Sequence, residues 1–159
     1  MNNHGSPVST GDMTPIEKIA QSNIEHADEV VDLSKRAKDY LGSMAWCNGI
    51  IGGWLAYASG YIIGVFYFEI MPSRKDAPRF VWVIVGDIPP AYLDVESCPN
   101  AKEAVEGYVG EMQEWIDRVL QGRPLDDSVI PVNVPAEAKW AEALQTRLKL
   151  IREIFLNVS

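Results

Sequence analysis

The sequence predicts an α+β fold in the order α-β-β-β-α-α, with a small antiparallel sheet of about three strands and helices over one face. Three observations carry this expectation. Between Ile50 and Val85, β-branched and aromatic residues gather in short runs separated by polar turns. On either side of that region, apolar residues recur at steps of three and four, the period of a helix. The composition is 47% apolar and 23% charged over 159 residues, which suits one domain that buries roughly 70% of its unfolded surface.

The chain begins with a polar stretch, Met1 to Met13, expected to be a flexible tail because nothing in it offsets the entropy of ordering. It lacks the basic start and apolar run of a secretory signal, so a cytoplasmic protein is expected. The single domain is read over residues 14–159. Its first helix opens at Thr14-Pro15-Ile16-Glu17, where Thr14 caps, Pro15 suits the first helical position and Glu17 completes a capping box. Ile16, Ala20, Ile24, Ala27 and Val31 give it an apolar side, and Gly42 ends it.

Three strands follow. The first lies within Ile50 to Ala58 and turns at Ala58-Ser59-Gly60. The second is Tyr61 to Met71, with Ile62, Phe66, Phe68 and Ile70 on one side and Tyr61, Ile63, Val65, Tyr67 and Glu69 on the other. The third, Phe80 to Val85, is an unbroken apolar run. Gly86-Asp87-Ile88-Pro89-Pro90 closes it, because proline cannot sustain a ladder. Asn100 then caps a helix with Glu103 three residues on. Its stripe runs from Ala101 through Val105, Tyr108, Met112 and Trp115 to Val119, and Gly122 and Pro124 stop it. After a linker, Leu125 to Val134, the last helix starts near Pro135 with Trp140, Leu144, Leu148, Ile151, Phe155 and Val158 on one face.

From Tyr40 to Phe68 there is no charged side chain, a length that can span a bilayer. Its glycines, Gly49, Gly52, Gly53, Gly60 and Gly64 among them, and its strand-forming residues favour buried strands over a membrane helix. The net charge of −8 argues against nucleic acid and anionic membrane as partners. Two cysteines and two histidines, without motif spacing, offer no metal site, and no cofactor is expected.

The run from Trp82 to Leu93 ends in Gly86-Asp87-Ile88-Pro89-Pro90-Ala91-Tyr92-Leu93, and Ala104, Tyr108, Met112 and Trp115 follow downstream. This resembles a small family of uncharacterised bacterial proteins with a Trp-x-Val-x-Val-Gly-Asp-x-Pro-x-Ala-Tyr-Leu core and a following helix with Tyr and Trp. The chain departs from the pattern in detail at Ile84, and at Pro90 and Val109, where the family pattern has Ser and Cys. The resemblance covers about the middle third of the chain. It implies a soluble bacterial α+β domain and supplies no activity and no site residues.

Asp87 ends a buried strand, with Asp94 and Glu96 within ten residues and Glu69 on the neighbouring strand. Paired carboxylates can serve as acid and base or hold a cation. Tyr92 can present its phenol to a ligand. Set against this, Asp after Gly at a strand end commonly caps a turn, and a half-buried Tyr commonly packs its ring. Cys47 and Cys98 read as inert packing, His26 as a solvent-side residue, and Arg74, Lys75 and Arg79 as a basic spot on a solvated loop. The leading expectation is a non-enzymatic protein-interaction module of the immunity or inhibitor type, acidic and rich in aromatics. One alternative is a small-ligand or metal-dependent enzyme centred on Asp87, Tyr92 and Glu69, which requires those side chains to converge. The other is a self-associating domain that dimerises through an exposed helix face.

Overall fold

The computed structural model describes residues 8–156. Five antiparallel strands form one sheet in sequence order: β1 (Thr14–Pro15), β2 (Cys47–Ser59), β3 (Ile63–Pro72), β4 (Phe80–Gly86) and β5 (Ala91–Asp94). Three α-helices accompany it: α1 (Ala27–Gly42), α2 (Ala101–Gln121) and α3 (Ala138–Ile151). The α+β class and the meander stand, but the sheet has five strands where about three were expected.

Both extra strands are short and lie next to proline. Thr14 and Pro15 pair with Leu55 and Trp54, so the expected helix start is an edge strand. Pro15 sits at ψ 138, and at an edge its missing N–H costs nothing. The chain then makes one 3-10 segment, Ile16–Gln21. Ser22 ends it: its hydroxyl donates to Ile19 O at 2.6 Å and accepts from Ile24 N at 3.2 Å. The α-helix begins only after His26, which takes a left-handed conformation at φ 57. Its buried side is therefore Val30, Leu33, Ala37 and Leu41, not the expected Ala20–Val31 stripe. At the other edge, Pro89 and Pro90 do end β4, yet Ala91–Asp94 returns to pair with Ile84–Val81.

Helices cover both faces of the sheet, not one. Strands β3 and β4 are apolar at nearly every position, and successive side chains point to opposite faces, so each face needs a cover. On one side Phe66, Phe68, Ile70, Val81 and Val83 pack with Ile19, Leu33 and Leu41. On the other, Ile63, Val65, Tyr67, Trp82 and Ile84 pack with Tyr108, Met112, Trp115, Leu144 and Leu148 from α2 and α3. The two sides expected for Phe66–Ile70 and Ile63–Tyr67 are thus the sides observed.

Helix α2 matches the expectation closely. Glu103 N donates to Asn100 Oδ1 at 2.9 Å, and Gly122 closes the helix at φ 67. Its aromatic neighbours satisfy their polar ends: Tyr108 Oη donates to Pro89 O at 2.5 Å, and Trp82 Nε1 donates to Cys98 O at 2.6 Å. Helix α3 starts three residues later than expected and buries Ala141, Leu144, Leu148 and Ile151, which leaves Trp140 41% exposed. Val158 lies outside the described residues. So does Met1–Pro7 of the expected tail, whereas Val8 is buried against the core. The uncharged Tyr40–Phe68 stretch folds as the end of α1, β2 and most of β3. Among the described residues, no helix is long and apolar enough to cross a membrane.

Candidate functional site

The three candidate ligand-binding residues, on which the alternative enzyme reading is centred, do not converge. Glu69 sits opposite Phe80, while Asp87 follows Gly86 at the far end of β4, a separation of roughly 20 Å at the rise of a strand. Tyr92 pairs with Val83 and so faces α1, while Glu69 alternates with Tyr67 and Val65 on the opposite face. Glu69 accepts from Arg79 at 2.9 Å and 3.2 Å. Asp87 accepts from Arg147 Nε at 3.0 Å, and its backbone N–H donates to Tyr61 O at 2.9 Å. Its carboxylate therefore meets a guanidinium across from α3 and does not cap the turn, contrary to the sequence expectation.

The Gly86–Pro90 loop is built tightly. Gly86 adopts φ +147, and a Cβ there would stand 2.4 Å from Ile62 O, so only glycine fits. The loop borders a hollow of about 320 Å³ with Val134, Trp140 and Leu144. Two carboxylates at this end are matched by arginines. Besides Asp87 with Arg147, Asp32 accepts from Arg36 at 3.2 Å and from Tyr61 Oη at 3.1 Å, and the Arg36 guanidinium lies 5.3 Å from the Tyr61 ring centre. The expected basic spot is partly absorbed, because Arg74 pairs with Asp76 and Arg79 with Glu69, while Lys75 stays exposed.

A different arrangement runs along β5. A groove of about 660 Å³ opens between Tyr40 at the end of α1, Tyr92–Asp94 of β5, α2 and the linker near Asp127. Five carboxylates line it, Asp94, Glu103, Glu106, Glu111 and Asp127, and no Lys or Arg does. None of the five belongs to an ion pair among the described residues. Asp94 accepts from Ser97 N at 2.7 Å and Glu103 from Asn100 Nδ2 at 3.2 Å, so those two serve local structure. Glu106, Glu111 and Asp127 are exposed to solvent.

Gly107 lets α2 come close here, since a Cβ would lie 3.1 Å from Leu93 Cδ2 and 3.3 Å from Cys98 Sγ. The floor is aromatic. Tyr92 is 39% exposed and meets Trp46 edge-on at 4.9 Å between ring centres. Burial pushes the Tyr40 phenol up to about 12, raised further by Tyr92 and partly offset by a hydrogen bond from the Tyr92 backbone. Burial, then the carboxylates of Asp94, Glu103 and Glu111, also raise the Cys98 thiol. A thiol held neutral is a poor nucleophile, so the groove does not favour thiolate chemistry at Cys98.

Of this groove the sequence singled out Asp94 and Tyr92 as candidates, Cys98 as packing and Glu103 as part of a helix cap. Glu103, Gly107 and Glu111 recur every four residues on one side of α2, a signal masked by its stronger apolar stripe.

A family model described as a domain of unknown function (DUF4826) matches residues 49–157, more than half of the chain. No curated protein and no solved structure matches. The matched span holds β3, β4, β5, α2 and α3, and hence both the Gly86–Pro90 loop and most of the acidic groove. The chain belongs to this family of unknown function.

Proposed function

We propose that this protein is a non-enzymatic, cytoplasmic interaction module whose acidic groove takes a basic segment of a partner protein, as an immunity or inhibitor protein covers a basic effector. The observation that carries the reading is the groove along β5, with five carboxylates and no cation on its walls. Elsewhere many carboxylates are matched by arginines, at Asp32, Glu69, Asp76, Asp87, Glu114 and Asp126. Unmatched carboxylates repel one another and are relieved by a cationic partner. The exposed Tyr92 ring, backed by Trp46, supplies the packed aromatic centre that specific binding needs and a face for cations.

The test is surface plasmon resonance with a partner recovered by affinity capture. The on-rate should fall steeply as salt rises, since the screening length shrinks from about 30 Å at 0.01 M to about 10 Å at 0.1 M. Tyr92→Ala should instead raise the off-rate. An on-rate that ignores salt contradicts the reading.

A further inference from the structure

The opposite edge of the sheet is finished differently. Strand β2 runs for thirteen residues, Cys47–Ser59, but β1 covers only Trp54 and Leu55. Ahead of that cover, Asn48, Gly49 and Ile51 are exposed, and Ile51 reaches 57%. The register with β3 goes from Ile50↔Ile70 to Gly52↔Glu69 and passes over Ile51, leaving that residue without a partner strand position.

An open edge is normally blunted by charge, proline or bulges. Cys47–Ser59 holds no charged residue and no proline. Only the bulges are present, and they are what leaves Ile51 outside the ladder.

We infer that this edge joins two copies of the chain, β2 against β2, in a two-fold antiparallel pair centred on Ile51. Exposed main-chain donors and acceptors in a row are satisfied by another strand. The neutrality of the strand selects which one. With a net charge of −8, a second copy meets like charge over much of the surface, but not here. The nearest acidic group on β3, Glu69, is already held by Arg79 at 2.9 Å. A basic partner, by contrast, gains nothing from an uncharged strand. An isologous pair centred on Ile51 sets Ile50 opposite Gly52 of the partner and Gly49 opposite Gly53. Ile51 then faces Ile51 of the partner, at the centre of the pair. The acidic groove lies along β5 at the other edge, so both surfaces can be occupied together.

The test is sedimentation velocity of the full chain over a wide concentration range, for wild type, Ile51→Lys and Leu120→Lys. Leu120 is also exposed, at 47%, but lies on α2. Wild type and Leu120→Lys should dimerise alike, while Ile51→Lys should weaken the dimer about a hundredfold, as like charges set face to face do. Unchanged melting curves establish that the variants fold. Amides of 48–53 should exchange more slowly as concentration rises. A wild-type chain that stays monomeric throughout overturns the inference. So does a dimer that tolerates Ile51→Lys, or one weakened equally by Leu120→Lys.

Discussion

Strands β5 and β2 flank the same sheet, yet the chain treats them in opposite ways. At β5 the outer backbone is partly engaged, since Asp94 O accepts from Cys98 N at 3.2 Å. What this edge offers is side chains, in the form of carboxylates over an aromatic floor. At β2 the side chains are neutral and several are glycine, and what is on offer is the backbone itself. Backbone pairing is indifferent to sequence and suits a like strand, whereas placed charges select a partner of opposite sign. One small sheet can therefore carry two kinds of recognition without competition between them.

The largest expected effect probes the wall of the groove. Trp115, on the buried face of α2, is 2% exposed, and Trp115→Ala should cost about 3–5 kcal/mol in urea unfolding. A loss under about 1 kcal/mol, the range of surface changes, would mean that α2 is not anchored there and builds no groove.

The next sharpens the claim that the β5 backbone is partly engaged. Tyr40→Phe keeps the ring and removes the oxygen that accepts from the Tyr92 backbone, so stability should fall by about 1 kcal/mol. The same residue gives a pH signature. Its phenol rises from the ordinary 10.0 to about 12 on folding, so the folded state holds the proton more tightly. Stability from this group is complete below pH 10 and is lost as pH rises towards 12. Tyr57 and Tyr108 are raised as well, so Tyr40→Phe should flatten the alkaline limb of a pH–stability curve without abolishing it. An unchanged limb would place Tyr40 in water, away from β5.

The smallest concerns the Gly86–Pro90 loop between the two surfaces. Asp87 and Arg147 are 70% and 42% exposed, so Asp87→Ala should cost about 0.2–1 kcal/mol, the range of surface ion pairs. A larger loss would restore the turn-capping role that the sequence implied.

Which parts were legible follows from where their causes lie. Helix α2 could be read outright because cap, stripe and terminating glycine are all local and agree. The faces of β3 followed from a two-residue period, and β4 was read as a buried apolar run. The N-terminal segment misled because Thr14-Pro15 carries a helix-start signal, while its pairing with β2, forty residues away, decides its conformation. Strand β5 was hidden by its length of four residues and by the two prolines before it. Asp87, Tyr92 and Glu69 were singled out as polar groups on or beside strands, but sequence cannot tell which end or which face each one takes. The acidic groove was illegible for a related reason: its carboxylates come from β5, α2 and the linker, and only the fold brings them together.

The central claim is that the acidity matters at one place and not as net charge alone. The direct measurement is a fluorescence titration with an arginine-rich peptide, read through Trp46 beside Tyr92. One variant replaces Glu106, Glu111 and Asp127 with their amides. A second neutralises Glu17, Glu142 and Glu153, which are exposed elsewhere, and so carries the same net charge. The groove variant should bind at least about tenfold more weakly than wild type at low salt, whereas the control should stay within about threefold. Equal losses in the two variants would contradict the account and reduce the acidity to a matter of solubility.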